Sequence, residues 1–539
     1  MRCDDRSLLR TGSSPLPRGA SPERPAAGRE GSLDAPRASG SLPAVARFAI
    51  RTYGCQMNRH DTEKVANLLH HAGLRLAASE DEAELLVINT CSVREKAEHR
   101  LYSDLGALRA WKAEASGRLV GVGGCVAQQE GDEILRRFPH VDFVFGTHNL
   151  RYVPELLASA RAGERRTRLE EVRDLSRFEL PERHPAWKGA TPGRAFVTVM
   201  EGCDMFCSFC IVPRTRGREI SRPAAAIEAE VRDLAARGMR EITLLGQTVN
   251  AYGRHDLRRG RAAAAGTVSF ATLVRRLAGI PGIERIRYTS PHPIFFGPDL
   301  IRAHGELEAL CPHVHLPLQA GSDRVLAAMR RRYTAAQFLE IVEALRAARP
   351  DVAITTDLIV GFPGETDADF RETLRVVREA SFVDNFAFKY SPRPGTRAAE
   401  RASELGAAVP PEEAQARLEE LQTLQRSLTL AWHRARVGSH TAILVEGASR
   451  RGGQIMGRDP WHRVVNVGGA TARPGDLLPV RIVEATPHSL LAEAEPAGEA
   501  DGALSGADGL KPRRRWADES GEGGRVRVAN GSRTGTSPA

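Results

Sequence analysis

The sequence alternates apolar runs of strand length with amphipathic segments of helical period, and it does so in two separate blocks. In the first block the runs RFAIRTYG, ELLVINT and RLVGVGG are each followed by a helical pattern, DTEKVANLLHHAG, REKAEHRLYSDLGALRAW and DEILRRF. In the second the runs are AFVTVM (195–200), EITLLG (241–246), ERIRYTS (284–290), HVHLPLQ (313–319), AITTDLIVG (353–361) and NFAFKYS (385–391). Helical segments such as AAAIEAEVRDLAARG and DRVLAAMRRRY separate them. Strand–helix–strand repetition argues for parallel pairing, and continuous apolar runs suit strands buried on both faces. The expected class is therefore α/β: an N-terminal parallel-sheet domain over 46–162 and a partial (β/α)6 barrel over 188–427.

The flanking text differs. Residues 165–190 are polar and carry Pro and Gly, as a linker does. EEAQARLEELQTLQRSLTLAWHRARVG reads as one long amphipathic helix. After it, short strand patterns with Gly turns (HTAILVEGA, GQIMGRD, HRVVNV, DLLPVRIVEA, SLLAEAE) predict a small all-β barrel over 434–496. Residues 1–45 and 497–539 are rich in Pro, Gly, Ser, Ala and Arg without hydrophobic period, and disordered tails are expected there. The KPRRRW run of the second tail suits an RNA contact or, more readily, a solvated basic tail. No apolar run reaches the ~18 residues of a membrane helix, and no secretory signal pattern opens the chain. A cytoplasmic location without membrane attachment is expected, where the eight cysteines serve as metal ligands or catalytic thiols rather than as disulfides. The net charge of +9 is compatible with a polyanionic partner.

Six cysteines fall into two sets. Cys55, Cys91 and Cys125 each follow one of the first three apolar runs, at the same end of successive strands. The C-terminal ends of parallel strands line one edge, where ligands bind, so residues distant in sequence can meet there. Three independent buried cysteines are the alternative. Cys203, Cys207 and Cys210 lie in EGCDMFCSFC, directly after a strand of the second block and on the working face of a parallel barrel. A structural zinc site takes four ligands, and no histidine lies near this loop. A redox pair made of Cys207 and Cys210 leaves Cys203 unexplained. A cubane iron–sulfur cluster held by three cysteines keeps one iron open. That iron can chelate S-adenosylmethionine and pass an electron to its sulfonium, releasing a 5′-deoxyadenosyl radical. Cys3 and Cys311 fit neither set.

The Cys-x3-Cys-x2-Cys loop with Phe209 before its last cysteine resembles that of the radical S-adenosylmethionine superfamily. TYGCQMN, INTCSVREKAE, GVGGCVAQQ, VDFVFGT, MEGCDMFCSFCIVPRTRGREISRP, ITLLGQTVNAY, HLPLQAGSDRVLAAMRR, DLIVGFPGET and YSPRPGT resemble the methylthiotransferase family throughout, from about residue 45 to 495. The resemblance implies an N-terminal methylthiotransferase domain, a radical core and a C-terminal TRAM barrel. It implies two [4Fe-4S] clusters, the radical-generating one on Cys203, Cys207 and Cys210 and an auxiliary one on Cys55, Cys91 and Cys125. It further implies S-adenosyl-L-methionine used twice, once to methylate a sulfur and once to form the radical. That radical takes the C2 hydrogen of N6-dimethylallyladenosine at position 37 of tRNAs reading codons that begin with U. The partners implied are the tRNA anticodon loop, an electron donor and a sulfur donor; a monomer is expected, although the sequence leaves the oligomeric state open. Threonylcarbamoyl-adenosine in tRNA or an aspartate of a ribosomal protein are the rival substrates within the family. A non-catalytic RNA-binding protein with structural metal sites is the rival class, and two incomplete three-cysteine sets argue against it.

Other positions carry less. Gly246 and Gln247, and Gln319 and Ser322, follow strand ends and are candidate cofactor contacts, with Asp357 and Gly361 as further options. Arg216 and Arg218 follow the cysteine loop and suit either a cofactor or RNA contact or a solvated loop. Arg450, Arg451, Arg458, His462 and Arg463 make the barrel a candidate RNA grip. His292 and His315 read as packing residues.

Overall fold

The computed structural model describes residues 46–92, 95–187, 191–449 and 452–495, all within one compact unit. Both expected tails, together with Cys3, Arg450 and Arg451, lie outside the described residues.

The first block forms a six-stranded parallel sheet of β1 (Arg47–Thr52), β2 (Arg75–Leu76), β3 (Leu85–Thr90), β4 (Leu119–Gly124), β5 (Phe143–Phe145) and β6 (Arg166–Arg168), in the order β2-β1-β3-β4-β5-β6. Strand β3, LLVINT, is buried at every position. Its Leu86 and Ile88 pack with Leu101, Leu105 and Val122 on one face, and Leu85 and Val87 with Leu68, Leu69 and Leu156 on the other. The unbroken apolar run is thus the mark of a strand covered on both sides. The sheet reaches Arg168, so the segment expected as a linker begins inside it, because Arg166–Arg168 pair with Phe143–Phe145.

The second block contains β7 (Arg194–Thr198), a small antiparallel pair β8 (Met200–Glu201) and β9 (Ile220–Ser221), then β10 (Glu241–Leu245), β11 (Arg285–Tyr288), β12 (His313–His315), β13 (Ala353–Val360) and β14 (Asp384–Lys389). Parallel pairing gives β7-β10-β11 and β12-β13-β14, and a single bridge from Ile286 to Leu310 joins the two halves into an open six-stranded barrel. The join stops there because the His313 N–H, the next one that would face β11, bonds to the Cys311 carbonyl at 2.7 Å instead. Helices on the outside bury Ile227, Val231, Leu273, Leu277, Phe338 and Phe370 against the strands. Thr334 and Thr366 start two of these helices with capping boxes. The long helix runs Pro411–Arg434 and is pinned to the last strands by Gln425 and Thr429, which donate to the carbonyls of Phe382 and Val383.

The C-terminal strands β15 (His440–Ala448), β16 (Gln454–Arg458), β17 (Val464–Gly468), β18 (Leu477–Ala485) and β19 (Leu490–Ala494) close into a barrel, β15-β16-β17-β19-β18, around Ile443, Val445, Val465, Val467, Val480 and Ile482. This small barrel docks on the N-terminal strand ends of the larger one. Arg194, the first residue of β7, meets Glu446 at 2.8 Å. Arg285 and Arg287 of β11 donate to the carbonyls of Ala442, Arg458, Asp459 and Pro460. Trp461 donates to the Asp351 carbonyl at 2.7 Å. Glu241 sits fully buried among these arginines, 3.1 Å from Arg287. Burial opposes its charge, but Arg287, Arg194 and Arg285 outweigh that and hold its carboxyl below the usual range.

This docking takes up three residues of the expected RNA grip, while Arg450 and Arg451 lie outside the described residues. Arg458 pairs with Glu446, Arg463 with Asp384, and His462 stacks on His313, so all three are spent on the seam. Among the described residues no helix is long and apolar enough to cross a membrane.

Candidate cluster sites and cofactor face

The three cysteines of the first sheet come together at its C-terminal edge. Cys55 caps the helix Gln56–His71, Cys91 follows β3, and Cys125 opens the helix Cys125–Arg137 directly after β4. Glycine is required at two of the turns. At Gly54, with φ 111°, a Cβ would lie 2.2 Å from the Cys91 Cβ. At Gly124, with φ 95°, it would lie 2.4 Å from the Thr90 carbonyl oxygen. Asn58 and Asn89 lock the strand ends: Asn58 Nδ2 donates to the Thr90 carbonyl at 2.5 Å and Asn89 Nδ2 to that of Asn58 at 2.7 Å. Cys55 donates to Asn58 Oδ1 at 3.2 Å. A hydrogen bond with Cys91 lowers the Cys55 pKa, with Arg216 adding to the effect, whereas burial pushes the Cys125 thiol up.

The second set lies on the opposing edge, at the C-terminal strand ends of the open barrel. The loop after β8 folds back on itself. Cys203 N donates to the Gly217 carbonyl at 3.1 Å, and Cys210 N to that of Cys207 at 3.1 Å. Ser208 anchors the middle of the loop on the carbonyls of Met329 and Ala328. Cys203 Sγ lies 3.0 Å from Thr248 Oγ1, and Arg331 Nη1 donates to Cys207 Sγ at 3.4 Å. Met205, Phe209, Val212, Ile294 and Phe295 wall the thiols from water. Burial, then the neighbouring Cys207 and Cys203, pushes the Cys210 thiol up to about 12. Buried thiols such as Cys203 and Cys210, whose ionisation burial opposes, become good ligands once a cationic centre compensates them.

The donors fit iron–sulfur clusters. Each set is three free thiols. A buried arginine stands beside each set: Arg331 at Cys207, and Arg216 near Cys125 and Cys55. The two edges face each other. Arg216 meets Asp61 at 2.6 Å, Glu201 takes Lys64 at 3.4 Å and Arg177 at 3.2 Å, and Thr147 donates to the Thr215 carbonyl at 2.5 Å.

The structure places the candidate cofactor residues unequally. Gln247 accepts from the Gly202 N–H, and its buried Nε2 has no partner. Gly246 packs closely on Met200. Gln319 is held at φ 77° by backbone bonds to Asp357 and Ile359. The Ser322 hydroxyl caps the helix Asp323–Ala328 and donates to Asp369, so the fold already uses it. Asp357 pairs with His315 at 3.2 Å. Gly361 N donates to Glu365, and a Cβ there would press on Ala414. His292 accepts from Ile294 N and packs on Tyr333. Arg218 is exposed and paired with Asp204, while Arg216 is buried, not a solvated loop residue. Cys311 is buried near Arg287 and Arg285.

Sequence reading missed Arg331, Phe386 and Phe388. The two phenylalanines lie on β14, 53% and 38% exposed, with the His315 ring 5.9 Å from that of Phe386. Alternation in NFAFK was the available signal: Ala387 packs on the core, so its neighbours point the other way. A cavity of about 370 Å³ lies elsewhere, between the helix Gln56–His71 and the segment 178–187. Its charged walls pair with each other, as Arg222 and Arg183 do with Glu230.

Comparison with known proteins assigns each block. The chain matches the uncharacterized protein family UPF0004 over residues 47–146, the radical SAM superfamily over 197–377 and the TRAM domain over 434–494. A tRNA-2-methylthio-N(6)-dimethylallyladenosine synthase of Geobacter metallireducens is 49% identical over 82% of this chain and 97% of its own length. The chain belongs to the tRNA-2-methylthio-N(6)-dimethylallyladenosine synthase family. Other synthases of that name, from Cereibacter sphaeroides and Paracoccus denitrificans, are 47% and 46% identical over 83% and 84% of this chain and 98% of each of theirs. Among solved structures, the radical S-adenosylmethionine methyltransferase TsrM of Kitasatospora setae aligns at a TM-score of 0.47 and 13% identity, covering 66% of this chain and 74% of that one. As a member of the synthase family the protein is an enzyme of the radical S-adenosylmethionine type, using iron–sulfur and S-adenosylmethionine.

Proposed function

We propose that the protein converts N6-dimethylallyladenosine in tRNA to its 2-methylthio form. Cys203, Cys207 and Cys210 hold the radical [4Fe-4S] cluster, and Cys55, Cys91 and Cys125 the auxiliary one. Bound there, the clusters supply the electron that cleaves S-adenosylmethionine and the sulfur that is delivered. The observation that carries this reading is the opposition of two three-thiol sets across one interface, in a chain 49% identical to a synthase of that name.

The chain's own residues do the rest. An aromatic C2–H is not acidic, so no side-chain base removes it, and the site must instead protect a radical from water. Met205, Phe209, Ile294 and Phe295 form that apolar wall. On this reading the cofactor is held by Gln247, whose buried Nε2 has no partner, and by the backbone at Gln319. Phe386, with His315 against it, offers a face on which a splayed base can stack. The anticodon-loop base at position 37, in tRNAs reading codons that begin with U, is the proposed target, and the cytoplasm the proposed location. The test is an anaerobic assay of the reconstituted enzyme with tRNA carrying N6-dimethylallyladenosine, S-adenosylmethionine and dithionite. The 2-methylthio nucleoside and 5′-deoxyadenosine should both form. Formation of 5′-deoxyadenosine without any thiolated nucleoside, on a tRNA that binds, contradicts the substrate assigned.

A further inference from the structure

Arg216 is where the two cysteine sets meet. It belongs to the radical loop, yet its side chain reaches the auxiliary edge, where it is 3% exposed. Nη2 donates to Asp61 Oδ2 at 2.6 Å, while Nη1 is buried without a partner. Its backbone is clamped as well: the Arg216 carbonyl lies 2.9 Å from His148 Nε2 and accepts from Arg177 Nη2 at 3.0 Å. The guanidinium lies against Cys125 and within electrostatic reach of Cys55. A buried N–H with nothing to bond is costly unless a ligand takes it. Asp61 shares its charge between Arg216 and Lys64, whose Nζ lies 3.9 Å from Oδ1, an oxygen without a hydrogen bond.

We propose that Arg216 is a positioning residue for the auxiliary cluster: a buried cation, delivered by the radical loop, that offsets the negative charge of a thiolate-held cluster and raises its reduction potential. Net charge and hydrogen bonds to the sulfurs are the protein's main levers on such a potential. The consequence is that the loop holding one cluster sets the electron affinity of the other. Asp61 opposes it, so the pair fixes the potential from two sides.

This inference rests on the reading that Cys55, Cys91 and Cys125 hold a cluster, and the experiment separates the two. The full chain carrying Cys203→Ala, Cys207→Ala and Cys210→Ala is reconstituted anaerobically, and its iron, sulfide and reduction potential are measured by redox titration followed by electron paramagnetic resonance. Arg216→Gln, Arg216→Lys and Asp61→Asn are then added singly. With iron content unchanged, Arg216→Gln should shift the potential negative, Arg216→Lys should leave it near the parent, and Asp61→Asn should shift it positive. A purely structural bridge predicts shifts of the same sign for Arg216→Gln and Asp61→Asn, and that result, or no shift in either, overturns the proposal. A parent protein without iron overturns the two-cluster reading instead.

Discussion

His313, at the start of β12, stacks on His462 of the small barrel, with ring centroids 5.5 Å apart and planes 25° from parallel. Both rings are held neutral. Burial lowers each pKa well below 6.5, and the facing cations Arg287, Arg463, Arg458 and Arg194 lower them further, as do His315 and His304 around His313. The unfolded chain therefore binds protons in a range where the folded one does not. Stability is complete above pH 6.5 and is lost as pH falls below it. Thermal unfolding at stepped pH should show this fall, and His462→Phe should flatten it. An unchanged slope in the variant would remove the stacked pair as its source.

Arg458 and Arg463 are seam residues, so their loss should not look like the loss of an RNA contact. Arg458→Ala breaks bonds to Glu446 and to the His462 carbonyl. A cost of about 1–3 kcal/mol in stability is expected. The dependence of tRNA affinity on salt should keep its slope, because no phosphate contact is removed. A shallower slope at unchanged melting temperature would return Arg458 to the RNA surface.

Arg331 is the counter-charge of the radical loop, bonded to Cys207, the Pro317 carbonyl and Tyr333. In a chain with Cys55, Cys91 and Cys125 replaced by Ala, Arg331→Met should weaken retention of the remaining cluster by about 10- to 100-fold, the range for residues behind metal ligands. Iron loss against a chelator measures it. Equal retention in parent and variant would contradict the role.

Phe386→Ala should lower kcat/KM for tRNA by roughly 5- to 150-fold, since stacking on an aromatic face is worth about 1–3 kcal/mol per base. Phe386→Tyr should keep most of the activity. Cleavage of S-adenosylmethionine without tRNA should be unaffected by either change. Full activity in Phe386→Ala would place the base elsewhere.

What the sequence disclosed and what it hid divide by range. The strands were legible because their apolar runs are local, and Cys55, Cys91 and Cys125 were legible because each ends such a run. Arg216 and Arg331 were not, because their partners lie 155 and 124 residues away. Arg458 and Arg463 misled for a related reason: a basic side chain reads as exposed until the surface that covers it is known. Strand β6 hid in polar sequence, since an edge strand needs only backbone pairing to join its sheet.

The central claim is that this chain thiolates N6-dimethylallyladenosine in tRNA. The most direct measurement is nucleoside mass spectrometry of total tRNA from cells with the gene deleted and with it restored. The account predicts that the 2-methylthio nucleoside disappears on deletion while N6-dimethylallyladenosine accumulates, and that restoration reverses both. An unchanged level of the 2-methylthio nucleoside would contradict it and send the search for the substrate to threonylcarbamoyl-adenosine or to protein.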